Sequence, residues 1–225
     1  MDSSLFLLQS FDSLFPIGAF RLSNGMETNV QKEIVRDKKS LQDFFDSFLY
    51  VMPFNDTGFA AFVMQNEDFI AADNICAAWK SPRELREGSM KLCSRFIKAQ
   101  KEIHGSRLKN LMEYEKKISD GLCYGMYPVA IGMYFRDIAV SKEDQKKALT
   151  FYAYSQITSL VNHAVKLIPL GQMEGQKVLY NCLLKLEQIV ERAFVIKMEE
   201  LGAGGPGFDF RSMQHEKLYS RLYIS

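Results

Sequence analysis

Residues 40–52 read Ser40-Leu41-Gln42-Asp43-Phe44-Phe45-Asp46-Ser47-Phe48-Leu49-Tyr50-Val51-Met52, and their spacing decides the fold class. Leu41, Phe44, Phe45, Phe48, Leu49 and Met52 recur at three and four residues, which lines one face of an amphipathic helix. Ser40, with Asp43 three residues on, marks its start. Ser81-Pro82-Arg83-Glu84 is a fuller start signal, with Ser81 as the N-cap, Pro82 at the first helical position and Glu84 as the reciprocal carboxylate.

The same stripe returns in Leu149, Ala153, Ile157, Leu160, Val161, Ala164, Val165 and Ile168, and in Leu179, Cys182, Leu183, Leu186, Ile189, Val190 and Ala193, with Pro169 and Gly171 breaking the pattern between them. Met126 to Phe135 could form a strand by composition, but Pro128 and Gly132 oppose it. Alternating runs joined by hairpin turns do not occur. The expectation is an all-α bundle of seven to ten helices in one domain over residues 1–225. Leu14 to Ser23 and Leu201 to Phe210 mix Gly and Pro with aromatics, so both ends are expected to be extended or mobile. Apolar side chains on such segments need a surface to cover them, which makes residues 1–23 and 201–225 expected partner-binding segments.

A chain of 225 residues that is 47% hydrophobic can bury a substantial core. Lys plus Arg number 28 against 27 Asp plus Glu, so the net charge of +1 provides no field for nucleic acid or an anionic membrane. A protein partner fits better. The start MDSSLFLLQSF places an acid where a signal peptide carries basic residues, and the most apolar region, Phe151 to Leu170, is broken by Gln156, Asn162, His163 and Lys166. A cytoplasmic chain without a membrane span is expected.

The sequence lacks the usual signatures of chemistry. No Gly-Lys-Ser/Thr phosphate loop is present, and Gly202 to Gly207 (GAGGPG) reads as a connector. Cys76, Cys93, Cys123 and Cys182 are scattered as buried apolar residues would be, and His104, His163 and His215 are far apart, so no metal site or cofactor is expected. His163 falls beside an apolar stripe and reads as a core histidine, whereas His215 reads as a contact residue. No nucleophile motif gives a reason to propose an enzyme.

Four strings in order resemble the UreF family of urease accessory proteins: Phe15-Pro16-Ile17-Gly18-Ala19-Phe20 with Ser23-Asn24-Gly25-Met26-Glu27-Thr28; Gly125 to Gly132 (GMYPVAIG); Val165 to Gln176 (VKLIPLGQMEGQ); and Ser212 to Leu222 (SMQHEKLYSRL). The resemblance runs from residue 15 to the end. It implies an all-α homodimer that binds a second accessory protein, UreD (also called UreH), and the GTPase UreG, and that assembles on apo-urease, where nickel delivery is coupled to GTP hydrolysis. Met126 stands where many members carry His, which argues against a metal role there.

The matched residues suggest physical roles. Pro169 and Gly171 would form a helix-to-helix corner at which Lys166, Gln172 and Gln176 cluster, to meet the GTPase or a second subunit; alternatively Gln172 caps a helix and Lys166 is solvated. Glu27 is either a capping-box carboxylate of a helix whose start Asn24 signals, or a partner-facing charge. In the tail, His215, Glu216, Tyr219 and Arg221 are the partner-binding candidates, with Tyr219 and Arg221 as anchors on UreD, against a tail that packs on its own domain. Arg21 could serve as an arginine finger to a GTPase, or be simply an exposed charge. The competing class is a helical enzyme or small-ligand protein with an apolar pocket between helices. A third possibility is nickel passing through the interior.

Overall fold

A computed structural model describes residues 3–224. Eleven α-helices follow one another among the described residues: α1 (Ser3–Phe11), α2 (Met26–Gln31), α3 (Lys38–Val51), α4 (Asp56–Gln65), α5 (Phe69–Trp79), α6 (Arg83–His104), α7 (Lys109–Ser119), α8 (Tyr127–Ile138), α9 (Lys142–Leu167), α10 (Gln172–Phe194) and α11 (Pro206–His215). The all-α expectation holds, and Met126 to Phe135 is helical from Tyr127 on, with Pro128 in the first turn, where its missing N–H costs nothing.

Two helices form the centre. In α4 every residue from Thr57 to Met64 is buried, and in α8 every residue from Tyr127 to Phe135. Helices apolar all round have to be enclosed on all sides. They pack directly on each other because Gly132 admits the α4 backbone: a Cβ there would sit 2.7 Å from the Ala60 carbonyl oxygen. Around this pair stand α5, α6, α7, α9 and α10, and α3 lies on α10 with its stripe turned inward. The α3 stripe buries Leu41, Phe44, Phe45 and Leu49, as its spacing requires.

One buried and one half-buried acid fix the connections. Asp73, fully enclosed, accepts hydrogen bonds from the Tyr114 hydroxyl, the Tyr124 N–H and the Met126 N–H, which ties α5, α7 and the loop before α8 together. Asp137 of α8 accepts from the Asn110 and Leu111 N–H groups, both at 3.0 Å, and so caps α7 from outside.

The local start signals are corrected. Helix α3 begins earlier than Ser40: Asp37 is the N-cap, accepting from the Ser40 N–H at 2.8 Å, and Ser40 is the third helical residue of a capping box. A carboxylate beside the positive helix end outcompetes the hydroxyl. Helix α6 begins at Arg83 with Pro82 extended before it and no side-chain cap from Ser81, whose hydroxyl donates to the Trp79 carbonyl at 3.3 Å, and Glu84 is engaged by His215. Helix α11 replaces much of the extended segment expected over 201–210; Gly205 (φ 95°) turns the chain and Pro206 opens the helix.

Candidate functional site

Residues 23–31 and 212–224, at opposite ends of the chain, meet in space. Helix α11 lies against α2 and α6, and the contact demands glycine at position 25: its φ is +78°, and a Cβ would lie 2.8 Å from the Ser212 hydroxyl and 3.2 Å from the Ser212 nitrogen. The Glu27 N–H reaches the Ser23 hydroxyl at 3.4 Å, so Ser23, and not Asn24, supports the start of α2.

The centre of the junction is His215, fully buried. Its Nε2 lies 3.0 Å from Glu27 Oε2 and its Nδ1 lies 2.7 Å from Glu84 Oε2. Carboxylate oxygens only accept, so both contacts are satisfied together when both ring nitrogens carry protons, giving a cation clasped between two anions. Glu84 also accepts from Arg221 Nη1 at 2.7 Å. Glu27, 2% exposed, accepts from the Leu222 N–H at 2.7 Å and the Tyr223 N–H at 3.0 Å. Burial by itself raises the Glu27 pKa, but the Leu222 N–H, His215 and the Tyr223 N–H together outweigh it and hold the carboxyl below its usual value.

Three further contacts complete the clamp on the tail. Gln31 Nε2 donates to the Ser220 carbonyl at 2.8 Å, the Ile224 N–H donates to the Arg21 carbonyl at 2.9 Å, and the Tyr223 ring packs on the His163 ring of α9 with centroids 4.4 Å apart. The backbone of residues 220–224 is thus held with Tyr223 turned inward, while Leu222, 65% exposed, and the neighbouring Tyr219, fully exposed, point outward.

The string containing Glu27 and the string containing His215 and Arg221 are therefore one three-dimensional unit. The sequence model of the UreF family matches residues 35–183. The urease accessory protein UreF of Actinobacillus pleuropneumoniae is 35% identical over 226 residues, covering 97% of each chain. That of Haemophilus influenzae strain PittGG is 37% identical over 230 residues, covering 97% of this chain and 94% of its own, and that of Bacillus sp. strain TB-90 is 30% identical over 232 residues, covering all of both. The chain belongs to the UreF family of urease accessory proteins.

Within this UreF-family chain the sequence candidates fall into two groups. Glu27, His215 and Arg221 come together with Glu84, which sequence reasoning had assigned to capping α6. Glu27 and His215 face the chain's own tail and lie buried, so neither the capping role nor a free partner-facing charge describes Glu27, and His215 is not a surface contact in this structure. Both carboxylates occupy the first turn of their helices, where a cap is the usual reading. The signal that could have exposed them is the isolated His215 in a tail rich in charge.

The second group is the corner between α9 and α10. Lys166, Pro169, Gly171, Gln172 and Gln176 are all exposed there, with Lys166 one turn beyond His163. Gly171 has φ −64°, and a Cβ would meet open space, so the turn does not need its conformational freedom. The glycine that packing does require is Gly175, where a Cβ would sit 2.4 Å from Val165 Cγ2. Glu216 and Tyr219 are exposed beyond α11.

Among the described residues no group of three His, Cys, Asp or Glu side chains is placed to hold a metal ion, and no helix is long and apolar enough to cross a membrane. The four cysteines are buried and unpaired, and burial pushes the Cys123 and Cys182 thiols up to about 12.

Proposed function

We propose that this chain is a non-catalytic assembly factor for urease maturation, a cytoplasmic homodimer that joins UreD (UreH) and the GTPase UreG on apo-urease during nickel insertion, with residues 1–225 acting as one domain. The observation that carries the reading is the clamp. Glu27 and Gln31 hold the backbone of residues 220–223, His215 and Glu84 brace Glu27 and Arg221, and Tyr219 and Leu222 are left facing solvent. A charge network that fixes a segment and satisfies its backbone, yet leaves Tyr219 and Leu222 uncovered, prepares a binding surface with little ordering left to lose on association. Tyr219 and Arg221 are the proposed anchors on UreD, with Glu216 beside them. Glu27 and His215 contribute by positioning the tail.

The exposed corner of Lys166, Pro169, Gly171, Gln172 and Gln176 is the proposed contact with UreG or the second subunit. Since Gly171 is not needed for the turn, its small size is free to serve a close approach by another protein. Size-exclusion chromatography with light scattering, on the chain alone and mixed with UreD and UreG in the presence of GTP and nickel, tests the reading. A dimer that enters a larger stable assembly is the expected result. A monomer indifferent to both proteins would overturn it.

A further inference from the structure

The turn over residues 18–22 and the outer face of α6 enclose a cleft of about 130 Å³ that borders the clamp and shares Glu84 and Ile224 with it. Leu22, Leu92 and Ile224 give it an apolar floor and wall, while Arg21, Arg83, Lys91 and Arg95 surround it with two carboxylates, Glu84 and Glu87. Both carboxylates are engaged: Glu84 by His215 and Arg221, and Glu87 by Arg83 at 3.5 Å. Arg95 donates to the Ile17 carbonyl at 3.1 Å. Among the described residues no carboxylate pairs with Arg21, Lys91 or Arg95, in a chain whose overall charge is only +1.

The two lining glycines show that the cleft is built closely. A Cβ on Gly88 would press on Leu22 at 3.0 Å, and one on Gly18 would reach Arg95 Nη1 at 3.0 Å. Three cations over leucines match a glutamate side chain, whose methylenes lie on the apolar floor while its carboxylate meets guanidinium and ammonium groups.

We infer that this cleft is the docking site for an acidic, leucine-bearing segment of a partner protein. Ile224 reaches the wall only because its N–H is tied to the Arg21 carbonyl, so the site is complete only when the tail is clamped. The inference rests on the assembly reading above and adds to it the chemistry of one contact.

The probe is a fluorescent acetyl-Glu-Leu-Glu-Glu-Leu-Glu amide, titrated with the full chain at low salt and followed by polarisation. Saturable binding that weakens with added salt is expected, with at least a roughly tenfold loss in Lys91→Glu and in Arg21→Glu. Thermal unfolding of both variants should match that of the parent, since neither side chain holds the clamp. Glu87→Gln, which releases Arg83, should tighten binding. An equal loss in Lys116→Glu, on α7 and outside the cleft lining, would mean non-specific attraction and overturn the inference. So would the absence of peptide binding, or a cleft that takes up inorganic phosphate and ignores the peptide. The assay contains neither accessory protein, so its failure leaves assembly standing, and failed assembly with intact peptide binding leaves the cleft standing.

Discussion

Glu27 shows how burial, more than charge, sets the weight of a residue. It has lost nearly all contact with water and serves three donors at once, whereas Arg221 meets Glu84 with its side chain 42% exposed. Removing one partner of a buried pair leaves the other charge unsatisfied, while an exposed pair contributes little. Glu27→Ala is therefore expected to lower unfolding free energy by about 3 kcal/mol, and Arg221→Ala by less than about 1 kcal/mol, both read from urea denaturation. The pH dependence follows from the direction of the Glu27 shift. Its folded pKa lies below the ordinary 4.5, so the stabilisation is fully present above that value and is lost as pH falls through the folded pKa. The Leu222 and Tyr223 amide signals, followed by NMR from about pH 6 down to about pH 3, should move towards unstructured positions only in the acid limb. Loss of the docked signals on raising the pH across the same interval would contradict this.

Among the elements, what was legible in the sequence and what was not divides along a physical line. The stripes of α3, α9 and α10 are local and periodic, so residues such as Phe44, Ile157 and Leu186 could be assigned to the core directly. Capping was less legible, because Asp37 and Ser40 offer equivalent oxygens and the choice depends on backbone geometry. The clamp was invisible as a unit: Glu27 and His215 are 188 residues apart, and no period links them. The resemblance drew attention to both strings without showing that they touch. Close approach of helices likewise turns on single glycines. Gly175→Ala is expected to cost about 2 kcal/mol, with much of the loss recovered in the Val165→Ala background, because the obstruction is a side chain. Gly132→Ala should cost more and should not be rescued by Val63→Ala, since the Ala60 carbonyl remains at 2.7 Å. Thermal denaturation of the four variants distinguishes the two cases.

For the molecule as a whole, helicity and binding are expected to separate. Deleting residues 217–225 leaves every α-helix in place, since α11 ends at His215, but removes Arg221, Leu222 and Tyr223 from the clamp. Far-UV circular dichroism should be nearly unchanged, while UreD should no longer co-elute in gel filtration; Tyr219→Ala alone should weaken co-elution without lowering thermal stability, because its side chain touches solvent. Undiminished co-elution of the deleted chain would remove the tail from the interface. The long reach between Glu27 and the amides of Leu222 and Tyr223 also orders events in time. Contacts spanning 195 and 196 residues cannot close while the last of them is still in the ribosomal tunnel, although α2 has been outside for most of synthesis. The proposed docking surface therefore forms only after residues 222 and 223 have emerged, and a product terminated ahead of them has no clamped tail to present.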